Sequence, residues 1–128
     1  MLTPAEIAAA KTRINYQPGN VLHAEDDSVR IAYQWLDAQI ITKRKLRAGY
    51  PLKEIIEIWG GRFVASSDVW VAAELHPRIQ GTYPQFAISS RLTLPSCRRL
   101  VGIGKARTKD YLLATDYIIK HYGRIETP

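Results

Sequence analysis

Segments of apolar residues at helical spacing, bounded by proline or glycine, follow one another through the first half of the chain and constrain its fold more than any other feature. The first segment opens at Thr3, which can cap a helix, with Pro4 in the first helical position and Glu6 placed to complete a capping box. The apolar face of this helix carries Ile7, Ala10 and Ile14. The sequence therefore predicts a chain built mainly from helices.

Further helices follow from the same signals. The second begins near Glu25–Asp27, because acids favour a helix N-terminus, and runs toward the basic run Lys43–Arg47, which would then lie at the negative end of the helix dipole. The third begins at Pro51 and ends at Gly60. The fourth is capped within Ser66–Asp68.

The segment 85–94 fits either of two secondary structures. Ile88 and Leu92 are spaced as on one face of a helix. In a strand, every second residue faces the same side, and this spacing fits the apolar residues Phe86, Ile88, Leu92 and Leu94. We favour a helix over Pro84–Thr93, because one proline suits its first turn and another follows its end.

Beyond this segment the pattern predicts a β-hairpin and a closing helix. The expected elements are a strand at Arg98–Ile103, a charged turn at Gly104–Lys109, a returning strand at Tyr111–Ala114 and a short helix at Asp116–Tyr122.

Composition is that of a small cytoplasmic domain. The 128 residues, 46% of them hydrophobic, suit one folded domain. No apolar run approaches the ~20 residues that a membrane span needs, and the N-terminus has no signal-peptide pattern. The single cysteine, Cys97, excludes an internal disulfide and a cysteine-rich zinc site. Because His23, His76 and His121 lack ligand spacing and no catalytic motif is present, we expect no metal, cofactor or enzymatic activity.

Positive charge is concentrated in two stretches. The formal net charge is +6, yet residues 43–47 alone carry +4, and residues 78–109 carry seven bases and no acid. Such a distribution indicates an anionic partner, most often nucleic acid. Phosphate contacts would supply most of the non-specific affinity.

The order of elements from Pro51 to Ala114 resembles a winged helix-turn-helix domain. A helix with an apolar face (Leu52, Ile55, Ile56, Trp59) precedes the short Phe63-Val64 strand, a capped helix at Ser67–Leu75, a segment Ile88–Leu92 similar to a recognition helix, and a basic hairpin at Arg99–Leu113. The resemblance implies an α+β, mainly α fold, with residues 1–50 as an N-terminal helical extension, 51–122 as the winged-helix-like domain with its β-hairpin wing, and 123–128 as a tail.

This resemblance implies a DNA-binding protein, a small transcription regulator that reads duplex DNA with the helix Pro84–Thr93 and the basic wing. The candidate DNA-binding residues are Gln85, Ser89, Ser90, Arg91, Arg98, Arg99, Lys105, Arg107, Lys109, Lys43, Arg44, Lys45 and Arg47. Since regulators often pair about a two-fold axis, we expect a homodimer formed through residues 25–42 with Ile31, Trp35 and Ile40. The alternative is an interaction module or inhibitor that binds an acidic surface of a partner protein.

Overall fold

The elements of the fold come from a computed structural model, which describes residues 2–14, 25–46, 51–83, 85–106 and 122–126. Its α-helices are α1 (Pro4–Arg13), α2 (Asp26–Asp37), α3 (Leu52–Gly60) and α4 (Ser66–Leu75), and a short 3-10 helix spans Cys97–Leu100. The strands are β1 (Gly81–Thr82), β2 (Gln85–Phe86), β3 (Leu92–Leu94) and β4 (Tyr122–Ile125). β1 pairs with β2 in antiparallel fashion, and β3 pairs with β4 in parallel. The α+β, mainly helical fold predicted from the sequence is confirmed.

Local signals set the start of α1 and the end of α3. The capping box of α1 forms, because the backbone N–H of Glu6 donates to Thr3 Oγ1 at 3.2 Å and the backbone N–H of Thr3 donates to the Glu6 carboxylate at 3.1 Å. α3 stops at Gly61, whose φ of 66° is the left-handed conformation that glycine adopts most easily. α4 is capped one residue earlier than the serines suggested, because the Asp68 carboxylate accepts from the backbone N–H of Ala65 at 3.0 Å.

One continuous apolar core joins residues on both sides of position 50. α2 packs mainly against α4, and the buried cluster extends from Ile7 of α1 to Tyr122 of β4. Ile31 and Trp35 are fully buried inside this core, whereas Ile40 is 45% exposed. Of the apolar residues on which the homodimer prediction depends, only Ile40 therefore remains on the surface.

Two buried tryptophans attach the helices to the extended segments. The indole N–H of Trp35 donates to the hydroxyl of Tyr122 at 3.0 Å, and that of Trp59 donates to the carbonyl of Pro95 at 3.1 Å. A buried indole N–H needs such a partner to avoid the cost of desolvation. These bonds fix β4 and the end of β3 against α2 and α3.

The helix predicted over Pro84–Thr93 is wrong, because the described part of this segment forms β2, a β-bridge at Ile88 and the start of β3, with bends between them. Phe86, Ile88 and Leu92 are all buried, as expected for residues that face the same side of a strand. Ile88 forms an antiparallel bridge with Ile41, and Leu92 pairs with Tyr122. Long-range pairing on both sides therefore overrides the local helix signals.

The strand predicted at Arg98–Ile103 is also wrong. Ser96 caps the 3-10 helix instead, its hydroxyl accepting from the backbone N–H of Arg98 at 3.2 Å, and the chain then turns at Gly102, which has a φ of 89°. The wing consequently lacks its first strand. Its second strand at Tyr111–Ala114 and most of its turn lie outside the described residues.

Three smaller predictions also change. α2 ends at Asp37 and does not reach the basic run Lys43–Arg47. Phe63 and Val64 belong to no strand. Tyr122, expected to end a closing helix, begins β4, and the rest of that predicted helix lies outside the described residues. None of the described helices is long and apolar enough to cross a membrane.

Candidate functional site

The residues Lys43–Lys45 form a short basic loop that is held at both ends. Before the loop, the backbone N–H of Thr42 donates to the carbonyl of Ala87 at 3.1 Å. After it, the backbone N–H of Leu46 donates to the carbonyl of Phe86 at 2.9 Å. The three cations therefore belong to a loop whose ends are fixed on the last residue of β2 and on the residue that follows it.

The basic loop borders a cleft of about 530 Å³, which we call the basic cleft. Its lining consists of Thr42, Lys43, Arg44, Lys45, Leu46, Ile88, Ser89 and Ser90. Leu46 and Ile88 are almost fully buried and supply apolar wall, whereas Ser90 and the three cations are exposed. The fold thus brings together two groups of predicted site residues that lie some 45 positions apart in the sequence, at 43–45 and 89–90.

Strand β4 contacts Ser89, which lines the cleft, and its neighbour Arg91. The guanidinium of Arg91 donates to the carbonyl of Gly123 at 3.0 Å, and that of Arg124 donates to the carbonyl of Arg91 at 3.0 Å and to Ser89 Oγ at 3.5 Å. Ser89 Oγ also accepts from the backbone N–H of Arg91 at 3.2 Å. Since this oxygen accepts both bonds, its own proton is free to donate.

Arg124 is a member of this site that the sequence analysis missed. It lies in a stretch, residues 110–128, whose net charge is −1, so charge clustering gave no sign of it. The neighbouring residues Tyr122-Gly123 did not indicate a strand, so nothing in the local sequence pointed to Arg124.

The positive charge around the basic cleft is uncompensated within the described residues. No described carboxylate lies within 4.0 Å of a side-chain nitrogen of Lys43, Arg44, Lys45, Arg91 or Arg124. The described acids that form ion pairs do so elsewhere, as Glu74 does with Arg13 and Glu57 with Lys53. The cleft therefore presents a positive field to solvent.

Arg99, in contrast, is neutralised inside the fold. Its guanidinium donates to both oxygens of Glu126 at 2.6 Å and to Asp37 at 2.9 Å. The hydrogen bond to Glu126 raises the pKa of Arg99 further above its ordinary value, although partial burial opposes this. We therefore exclude Arg99 from the candidate interface and assign it to the attachment of β4.

Other predicted site residues are not brought to the cleft. The backbone N–H of Lys105 donates to the Asp27 carboxylate at 3.0 Å, which places Lys105 beside the start of α2. The basic cleft follows the other end of that helix, roughly 15 Å away at 1.5 Å per residue. Gln85 lies exposed in the β1–β2 hairpin and Arg98 lies exposed in the 3-10 helix. Arg47, Arg107 and Lys109 lie outside the described residues.

His76 and Asp37 form a hydrogen-bonded pair whose role is structural. His76 Nε2 lies 2.8 Å from Asp37 Oδ1, and His76 Nδ1 accepts from the backbone N–H of Arg78 at 3.1 Å. The His76 side chain is 1% exposed and both ring nitrogens are engaged, so neither is free to take a proton from a substrate. Within the described ranges, no three residues of the His, Cys, Asp and Glu types come together as metal ligands would.

The basic cleft is thus the place where the largest number of predicted site residues meet. Comparison of the chain with protein-family models, with curated proteins and with solved structures finds no match. The function of the protein is therefore inferred from the chemistry of the cleft.

Proposed function

We propose that this protein binds nucleic acid, specifically duplex DNA, through phosphate contacts at the basic cleft. The observation that carries the proposal is the basic loop Lys43–Lys45, held by backbone hydrogen bonds opposite Ser89 and Ser90 with no described carboxylate near its cations. Lysine and arginine with serine hydroxyls are the groups that most often contact phosphate oxygens.

The proposed mode of binding differs from that of a recognition helix. Because the segment 85–94 forms short strands and bends and no helix, the interface consists of loop side chains, and such contacts position a protein on the DNA backbone without reading bases. We therefore propose binding with strong salt dependence and low sequence preference, in place of the sequence-specific readout that a recognition helix would provide.

The test is the salt dependence of duplex binding, followed by fluorescence anisotropy of a labelled duplex over a range of KCl concentrations. Replacing Lys43, Arg44 and Lys45 together by Gln should weaken binding to unrelated duplexes about equally. The slope of log K against log salt should fall by about 0.9 for each phosphate that the variant no longer neutralises. The control is Lys11→Gln on α1, which removes one positive charge from a helix that contributes nothing to the cleft.

Two results would contradict the proposal. One is an unchanged slope and affinity in the triple variant, which would remove the basic loop from the interface. The other is an absence of duplex binding by the wild-type protein at low salt. That result would favour the alternative in which the same positive surface binds an acidic face of a partner protein.

The basic stretch near Lys105 requires a separate variant, because Lys105 itself lies beside the opposite end of α2. Changing Lys105, Arg107 and Lys109 together to Ala tests whether the interface extends that far. A second, independent fall in the salt slope would extend the DNA-binding surface along α2, whereas an unchanged slope would confine it to the cleft.

A further inference from the structure

The basic cleft concentrates its charge at one point. Lys43, Arg44 and Lys45 are consecutive and line one cleft from one short loop, and Arg124 contacts the Ser89 hydroxyl that also lines it. Duplex DNA instead spreads single charges along its length, about one per 3.4 Å on each strand. Three adjacent cations match a group that carries several negative charges on a few atoms, such as a phosphate monoester or a diphosphate.

The cleft also offers neutral donors to such a group. The Ser89 hydroxyl accepts two hydrogen bonds and has its proton available, and Ser90 is exposed and makes no hydrogen bond within the described residues. Thr42 has a different role, because its hydroxyl donates to the carbonyl of Arg44 at 2.7 Å and holds the loop in shape. Phosphate oxygens accept hydrogen bonds from serine hydroxyls and stronger, charge-assisted ones from lysine and arginine.

The size and rigidity of the cleft suit a small ligand. Its volume of about 530 Å³ falls within the range of small-molecule sites. The bonds of Thr42 and Leu46 to Ala87 and Phe86 fix the loop before any ligand arrives, so little ordering entropy is lost on binding. The cleft has room for a part of the ligand that is not phosphate, and Leu46 and Ile88 are the apolar residues in its lining.

We propose that the basic cleft is a discrete site for a multiply charged phosphate group, a diphosphate or phosphate monoester, held by the basic loop and the hydroxyls of Ser89 and Ser90. This inference rests on the proposed function, since the same loop would contact the DNA backbone. The group has two sources, a free nucleoside diphosphate or the phosphorylated end of a nucleic-acid strand. In either case its binding competes with that of a continuous duplex.

The experiment is isothermal titration of the full chain with ADP and with adenosine at about 0.15 M salt, where exposed charges more than ~8 Å apart are largely screened. ADP should bind and adenosine should not. Replacing Lys43, Arg44 and Lys45 by Gln should weaken ADP binding by about tenfold or more, and Ser90→Ala by about three- to tenfold, because each removes hydrogen bonds to a charged group. Lys11→Gln should leave ADP binding unchanged. All these side chains lie on the surface, and thermal melts confirm that each variant is folded.

Equal binding of ADP and adenosine, or ADP binding that the triple variant does not weaken, would overturn the inference. The source of the phosphate is identified by comparing short duplexes with a 5′-phosphate or a 5′-hydroxyl. A preference for the 5′-phosphate indicates a strand end, and equal binding with displacement by ADP indicates a free nucleotide.

The two proposals fail in different ways. Duplex binding that depends on the basic loop but is not displaced by ADP at millimolar concentration would reject the discrete site and leave the proposed function standing. Loop-dependent ADP binding without duplex binding would reject the DNA-binding function and support the site.

Discussion

The side-chain amide of Gln39 pairs with the backbone of Thr93 as a neighbouring strand would. Gln39 Oε1 accepts from the N–H of Thr93 at 2.9 Å, and Gln39 Nε2 donates to the carbonyl of Thr93 at 2.8 Å. The same nitrogen donates to the carbonyl of Trp35 at 3.0 Å, so one buried side chain joins the end of α2 to β3. β3 thereby has a partner on each side, β4 on one and Gln39 on the other.

Replacing Gln39 by Leu should destabilise the protein by about 2–4 kcal/mol, because the N–H and carbonyl of Thr93 would both be buried without partners. Urea denaturation monitored by tryptophan fluorescence measures the loss. Gln80→Leu is the matched control, since Gln80 is exposed and the same substitution there should cost little. Similar losses in both variants would show that the pairing with Thr93 contributes nothing.

The hydroxyl of Thr93 gives a prediction of opposite sign. Thr93 Oγ1 is buried and has no hydrogen-bond partner within the described residues. Thr93→Val replaces this hydroxyl by a methyl of the same shape, so the free energy of unfolding should stay constant or rise by up to ~1 kcal/mol. Thr93→Ser keeps the hydroxyl and removes the buried methyl, and should lower stability by about 1 kcal/mol. A clear loss of stability in the valine variant would mean that the hydroxyl does have a partner in solution.

The ion pairs of Arg99 predict how stability changes with pH. Hydrogen bonds from Arg99 lower the pKa of Glu126 below its ordinary 4.5. Burial alone would raise the pKa of Asp37, but hydrogen bonds from Arg99 and His76 outweigh it and hold that pKa below 3.8. Since both carboxyls bind protons less readily in the folded state, they stabilise the fold above their ordinary pKa values, and this contribution is lost as the pH falls through the lowered ones.

Arg99→Met should therefore cost about 1–3 kcal/mol at neutral pH and progressively less as the pH is lowered. Thermal melts from pH 7 down to about pH 3 measure the difference, which should shrink on acidification. Its neighbour Arg98 is exposed and has no ion pair to a described carboxylate, so Arg98→Met should follow the wild-type pH profile. A difference between wild type and Arg99→Met that is constant over the whole range would contradict this assignment.

Close packing of α2 on α3 depends on Gly60. A Cβ at Gly60 would collide with Cγ2 of Ile31, which is fully buried. Gly60→Ala should thus destabilise the protein by about 1–3 kcal/mol, although alanine is the better helix former. Gly104→Ala is the control, because the nearest atom to a Cβ there is an Asp27 oxygen at 4.0 Å.

The collision itself is tested by a double-mutant cycle with Ile31→Leu, which removes the branch at Cβ. The two substitutions should cost less together than the sum of the single variants, since the leucine has no Cγ2 to meet the new methyl. Strictly additive costs would show that the effect of Gly60→Ala arises elsewhere.

The helices could be predicted because their signals are local. Thr3 and Glu6 cap α1, Gly61 ends α3, and apolar residues recur at helical spacing between such boundaries. These determinants lie within a few positions of the elements that they define. A single sequence is sufficient to recognise them.

The extended segments could not be assigned in this way, because their partners are distant. Nothing near Ile88 shows that it pairs with Ile41, and nothing near Leu92 shows that it pairs with Tyr122. The glycine at 123 weakened the strand signal further. Pairing over such distances decides whether an ambiguous apolar segment becomes helix or strand.

The sequence predicted the candidate site only in part, again because some of its contacts join residues that are distant along the chain. Consecutive residues at Lys43–Lys45 stand out as a cluster in any reading of the sequence. Arg99 looked equally free because its carboxylates, Asp37 and Glu126, lie 62 and 27 positions away. Arg124 became visible only once β4 placed it beside Ser89. The sequence thus named Lys43–Lys45 as well as Ser89 and Ser90, but only the tertiary structure shows that they line one cleft.

The fixed position of the basic loop has a consequence for the thermal stability of the protein. Holding Lys43, Arg44 and Lys45 together without a described carboxylate leaves their mutual repulsion unrelieved, which disfavours the compact state. An anion that enters the cleft relieves this repulsion and, by mass action, stabilises the folded state, by about 2.7 kcal/mol at one hundred times its dissociation constant. If the proposed anion binding is correct, the protein should melt at a higher temperature in phosphate than in chloride at equal ionic strength, and its stability would depend on the concentration of the bound anion.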